Sequence, residues 1–215
     1  MSVKPERQAF TAHESKMIAA HRTPAQAQRF LSALGYNRER EGPTLRSFRA
    51  ALRRGEAHCL EAAMIAAVML EQHNYPPLLL SLESQDKLDH VVFLYRRKNL
   101  WGAIARSRDT GLHGRRPVFG NLRQLARSYF DPYVDFTARI TGYGVGDLPE
   151  LGTYDWRFSE RNVWKVERYL QRIPHRELKS SERRYEQLLA RFTAFRLAHP
   201  IGAPTYFENK DQWML

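Results

Sequence analysis

The one cysteine of the chain, Cys59, stands in a run from Glu56 to Gln72 (EAHCLEAAMIAAVMLEQ) that is rich in alanine and leucine and apolar on nearly every side. A thiol is a useful nucleophile only as thiolate, and the first turn of a helix favours the anion through its unpaired backbone N–H groups and dipole. Cys59 falls in that turn. An imidazole that accepts the thiol proton and later returns it to a leaving group would complete a minimal nucleophilic pair. His90, heading the branched and aromatic run from His90 to Tyr95, is the candidate partner. Such a pair would attack an amide, ester or thioester carbonyl, form an acyl-enzyme and pass the acyl group to water or an amine. On its own, a lone cysteine in an alanine-rich helix is ordinary core packing. The surrounding elements therefore decide which reading holds.

Those elements read as α+β. Thr23-Pro24 is an N-cap followed by proline at the first helical position, with Ala25 to Leu34 as a short helix that Gly35 closes. Thr44 to Arg54 is a second helical pattern, ended by Gly55. Residues 56–72 form a helix too apolar for a surface and too short for a membrane span, so it belongs at the centre of the domain. After Asn74-Tyr-Pro-Pro77 the pattern turns to β: Leu78 to Leu82, His90 to Tyr95 and Trp101 to Ala105. Three neighbouring strands with short connections predict an antiparallel meander packed on that helix. Further on, Leu122 to Phe130 reads as a helix and Thr141 to Gly146 as an irregular glycine-rich stretch. Ser159 and Ser181 are N-caps of two closing helices. Aromatics such as Trp156, Phe158, Trp164 and Tyr169 are assigned to core.

A hairpin centred on Arg97 and Lys98 would set Tyr95 opposite Leu100 and His90 opposite Ala105. The group that orients the imidazole should then come from the third strand, on the same face. Ser107 is the first choice and Asp109 the second, while Asp89 should point to the opposite face. For the oxyanion, one donor is the Cys59 N–H, and Arg46, Ser47 and His58 are open candidates for the other. The loop around His113, Arg115 and Arg116 borders the cleft, and His58, Trp101 and Arg115 are candidate substrate contacts.

The order of these pieces resembles a known family. Ala57-His-Cys-Leu-Glu-Ala-Ala63, Asp89-His-Val-Val92 and Trp101-Gly-Ala-Ile-Ala-Arg-Ser107 are similar to the transglutaminase-like superfamily, within the papain-like cysteine-enzyme fold. The resemblance covers about 44–109, leaving helical extensions at both ends of a single domain. It implies Cys59 as nucleophile, His90 as general base and a buried central helix packed on an antiparallel sheet. It also implies an aspartate where this chain has Ala105, and Ser107, or else Asp109, would have to stand in. The activity implied is acyl transfer or hydrolysis on a peptide, protein or acyl-thioester substrate, without a cofactor. The departure at Ala105 motivates an alternative, a fold of this type that binds a peptide or protein without chemistry.

The 215 residues carry a net charge of +11, which favours acidic partners in general. The arginines are spread through almost every segment and interleaved with glutamates, a pattern that disfavours a dedicated nucleic-acid site. The histidines have no metal-ligand spacing. A single cysteine excludes an intramolecular disulfide, and the opening residues lack a signal-peptide pattern, so the expected location is cytoplasmic, with no membrane anchoring.

Overall fold

The computed structural model of the chain describes residues 4–86, 90–135, 137–199 and 210–215. Its helices are α1 (Ala12–Ala20), α2 (Pro24–Ala33), α3 (Phe48–Arg54), α4 (Cys59–Glu71), α5 (Leu122–Arg127), α6 (Phe130–Tyr133), α7 (Trp164–Arg172), α8 (Glu182–Ala198) and α9 (Lys210–Trp213). The strands are β1 (Leu78–Ser84), β2 (His90–Arg97), β3 (Leu100–Ile104), β4 (Arg115–Phe119), β5 (Ile140–Asp147) and β6 (Arg176–Glu177). The strands form one antiparallel sheet in the order β4-β3-β2-β1-β5-β6, so the protein is α+β.

Local chemistry explains most of the boundaries. Thr23 caps α2 by accepting from the Gln26 N–H, and Pro24 costs nothing at a position whose N–H has no helical partner. Gly55 ends α3 with φ of 70°, a left-handed conformation that glycine adopts without a Cβ penalty. The helix expected from Thr44 starts only at Phe48, with Ser47 as its cap. Side chains claim the backbone before it. Thr44 N–H donates to Glu39, Leu45 N–H to Asn162 and Arg46 N–H to Glu61, which keeps 44–46 out of the helix. Similarly, the Ser159 hydroxyl closes a local turn with Arg161, and α7 begins at Trp164. The pattern over 122–130 divides into α5 and α6.

The sheet buries both faces. On one, Leu79, Val91, Phe93, Tyr95 and Ile104 pack with α4, whose residues from Leu60 to Glu71 are all buried. On the other, Leu80, Leu82, Val92, Leu94 and Ala103 pack with Leu125, Tyr129 and Leu188. The region 44–109 holds α4 and β1 to β3, and the sheet continues beyond it on both edges.

The glycine-rich stretch is β5, paired with β1 from Ile140 to Asp147 with one register shift near Ser84. Its glycines make room for neighbours rather than for turns. A Cβ at Gly144 would sit 3.0 Å from the Pro174 carbonyl oxygen, and one at Gly146 only 2.6 Å from a Leu170 methyl. The β2–β3 register also differs from the expectation. Lys98 and Asn99 both have positive φ (49° and 64°), as a two-residue hairpin turn requires, so Arg97 faces Leu100 and Tyr95 faces Gly102. Pairing stops at Phe93 and Ile104, leaving His90 paired only with Leu82 of β1.

Candidate functional site: a thiol between two imidazoles

Cys59 is the first residue of α4 and is partly exposed. His58 precedes it as the N-cap. Its Nδ1 accepts from the Leu60 N–H at 3.3 Å, and its Nε2 donates to the Thr44 carbonyl at 3.0 Å. The fully buried Glu61 reaches back to the His58 N–H at 3.0 Å and also accepts from Asn37 and the Arg46 N–H. This capping arrangement fixes both the start of the helix and the rotamer of His58.

His90 reaches the same sulfur. Its ring is buried, and its Nε2 lies 2.9 Å from the Leu112 carbonyl. A carbonyl only accepts, so Nε2 carries the hydrogen and the other nitrogen is left to serve the thiol. The rings of His58 and His90 both act on the Cys59 sulfur. Burial opposes ionisation of the thiol, but the hydrogen bond from His58, that from His90 and the two ring charges more than offset it, holding Cys59 well below the usual thiol range. Burial pushes His58 down. The hydrogen bond and charge of Cys59, then the Glu61 carboxylate and the Thr44 carbonyl, carry it up to about 9.

Neither side chain expected to orient the imidazole does so. The Ser107 hydroxyl accepts from the Asp109 N–H, and the Asp109 carboxylate accepts from the Gly111 N–H with a distant contact to Arg196. The segment after β3 leaves the sheet and returns through a short 3-10 turn, and this return delivers the Leu112 carbonyl to the ring. Ala105, where an aspartate was expected, is fully buried, its N–H and carbonyl both taken by the Gln28 amide of α2. Asp89 lies outside the described residues.

The remaining candidates separate clearly. Arg115 is not a substrate contact. It is fully buried, bonds the carbonyls of Gly111, His113 and Ser128, and is stacked against the rings of Tyr129 and Trp213. Burial lowers it to about 10. It holds the loop that holds His90. The segment that includes Trp213 adds an N–H from Leu215 to the Gly114 carbonyl and a bridge between Met214 and Arg115. Trp101 packs on the sheet face away from α4, beside Phe119 and under Arg96, and Arg116 is exposed. Ser47 donates its hydroxyl to the Ser159 carbonyl and Arg46 pairs with Glu56, so neither is directed at the thiol. His113 sits against Arg106 and the Ser107 carbonyl, and burial, reinforced by nearby charges, lowers it to about 4.

The residue types alone do not mark one further residue near the thiol. Gly35 pairs with Glu56 in a parallel bridge, which lays the following residue, Tyr36, beside the chain leading into Cys59. Burial first, then the charge of Cys59, raise the Tyr36 phenol to about 12. The signal in the sequence was only Gly35 beside an aromatic, which does not announce a site.

Among the described residues no group of three histidine, cysteine or carboxylate side chains is arranged to hold a metal, and no helix is long and apolar enough to cross a membrane. Comparison with family models and with curated proteins finds no match. Fold and site together define an α+β protein whose single thiol opens a buried helix between two carbonyl-tethered imidazoles.

Proposed function

We propose that the chain is a cysteine-dependent acyl-transfer enzyme of transglutaminase-like, papain-like type, with Cys59 as nucleophile and His90 as general base. One observation carries the reading: the sulfur at the start of α4 is favoured as thiolate by an imidazole whose far nitrogen is fixed by the Leu112 carbonyl. The thiolate attacks an amide, ester or thioester carbonyl, and the imidazolium gives its proton to the departing amine, alcohol or thiol. Water or an amine then attacks the acyl-enzyme, with the imidazole taking the proton. The Leu112 carbonyl performs the orienting half of a carboxylate's task, since it selects the tautomer, but it has no full charge to stabilise the imidazolium. When its Nδ1 takes up a proton in place of the Leu60 hydrogen bond, His58 adds a second positive charge beside the sulfur and favours resting thiolate.

The test is an activated ester followed by intact mass. Wild type should gain one acyl group and the Cys59→Ala variant none. Equal labelling of both, or no labelling of wild type, refutes the proposal. The absent carboxylate at Ala105 favours a second reading, a peptide-binding module of the same fold. It would be preferred if the thiol titrates at the ordinary value of about 8.5.

A further inference from the structure

We infer that the Tyr36 hydroxyl is the second hydrogen-bond donor to the oxyanion formed when Cys59 attacks a carbonyl. This rests on the reading of Cys59 as a nucleophile and adds the group that completes its oxyanion pocket.

Placement comes from the backbone. The Gly35 N–H donates to the Gly55 carbonyl at 2.9 Å, and the Ala57 N–H donates to the Gly35 carbonyl at 3.0 Å. Tyr36 is therefore stitched alongside the two residues that precede Cys59. From the other side the Arg106 guanidinium lies over the Tyr36 ring, 5.8 Å from its centroid. Arg106 is itself pinned by the carbonyls of Leu34 and Ser107. The half-buried ring thus stands between the start of α4 and the loop that tethers His90.

The hydroxyl has no other task among the described residues. After burial, the charge of Cys59 acts most on the phenol, ahead of Arg108, Glu39 and Arg106, in keeping with a ring stitched beside the start of α4. No described residue takes this hydroxyl as a hydrogen-bond partner. Its neighbours are committed: both imidazoles bond carbonyls through Nε2, Ser47 bonds Ser159 and Arg46 pairs with Glu56.

The chemistry needs such a donor. As the C–S bond forms, the carbonyl π pair moves onto oxygen. When that pair returns, the C=O bond is restored and the leaving group departs with the imidazolium proton. Throughout, Tyr36 lends its O–H as a hydrogen bond and keeps the proton, because its phenol is held up at about 12.

Two reagents isolate this role. Iodoacetamide alkylates a thiolate by displacement at a saturated carbon and forms no oxyanion, whereas p-nitrophenyl acetate acylates it through one. In Tyr36→Phe, acylation should slow on the order of 10²-fold while alkylation at the same pH is unchanged. The matching thiono ester, whose sulfur accepts a weaker hydrogen bond, should show a smaller penalty, a comparison that does not depend on how the variant folds. Unchanged acylation, equal slowing with both reagents, or equal penalties for the two esters would overturn the assignment while leaving the nucleophile in place. A wild-type thiol that reacts no faster than free cysteine would remove the assignment together with the nucleophile reading.

Discussion

Replacing His90 by alanine should raise the pH at which Cys59 becomes reactive, and the size of the change follows from the bonds lost. A hydrogen bond to a charged group is worth about 1.5–3 kcal/mol, and 1.36 kcal/mol corresponds to one pH unit of titration. Loss of the His90 hydrogen bond and charge should therefore move the midpoint up by about one to two pH units. The His58 ring and the helix start remain in that variant, so the thiol should still ionise more readily than free cysteine. In His58→Ala/His90→Ala both imidazoles are lost while the burial of the sulfur remains, and the midpoint should rise to about the ordinary 8.5 or above. Iodoacetamide rates across a pH series, checked by ultraviolet thiolate absorbance, give each midpoint directly. If His90→Ala leaves the midpoint unmoved, the imidazole does not serve the sulfur and the argument from its tether to Leu112 fails.

Arg115→Met should destabilise the fold by more than about 3 kcal/mol in urea titration, since several buried carbonyls lose their donor at once. Whatever folded protein remains should have an altered Cys59 midpoint, because the Leu112 carbonyl is then loosely held. His113 contributes a pH dependence of known sign. Its folded value of about 4 lies below its ordinary 6.5, so the unfolded chain binds the proton first and stability falls as pH drops from about 6.5 to about 4. The slope from this group should be below about 1.4 kcal/mol per pH unit, and thermal melts of His113→Asn across that window should be flatter than those of wild type. The buried Arg157–Glu71 pair, at 2.7 Å, should cost about 3–5 kcal/mol when broken by Arg157→Met alone. Glu71→Leu/Arg157→Met should recover most of that in the same urea titration, and no recovery would mean the pair contributes more than its own neutralisation.

What the sequence made legible were the features that local chemistry decides. The apolar helix after His58, the caps at Thr23 and Ser181, the glycine stop at Gly55 and the strands around His90 all stand close to where their residue types put them. The pattern misleads where residues distant in the chain decide. Gly142, Gly144 and Gly146 looked like loop punctuation, yet they are small because Glu83, Pro174 and Leu170 press against the strand. The hairpin was displaced because Asn99 joins Lys98 in the left-handed region, although no glycine marks the turn. Side-chain spacing points to Ser107 or Asp109 behind His90, but the group there is the Leu112 main-chain carbonyl, which every residue possesses and no sequence pattern reveals. For His58 a signal was present. A histidine three residues before a glutamate, at the head of an alanine-rich run, is a capping arrangement as well as a place for an imidazole.

The stacking of Trp213 on Arg115 ties the orientation of the His90 ring to residues far from it in the chain. Force applied at Trp213 passes through a rigid cation to Gly111 and the adjoining Leu112, and so to His90. Remodelling around Trp213 would therefore be felt as a changed proton affinity at a sulfur it never touches, making that indole a remote adjusting screw for reactivity.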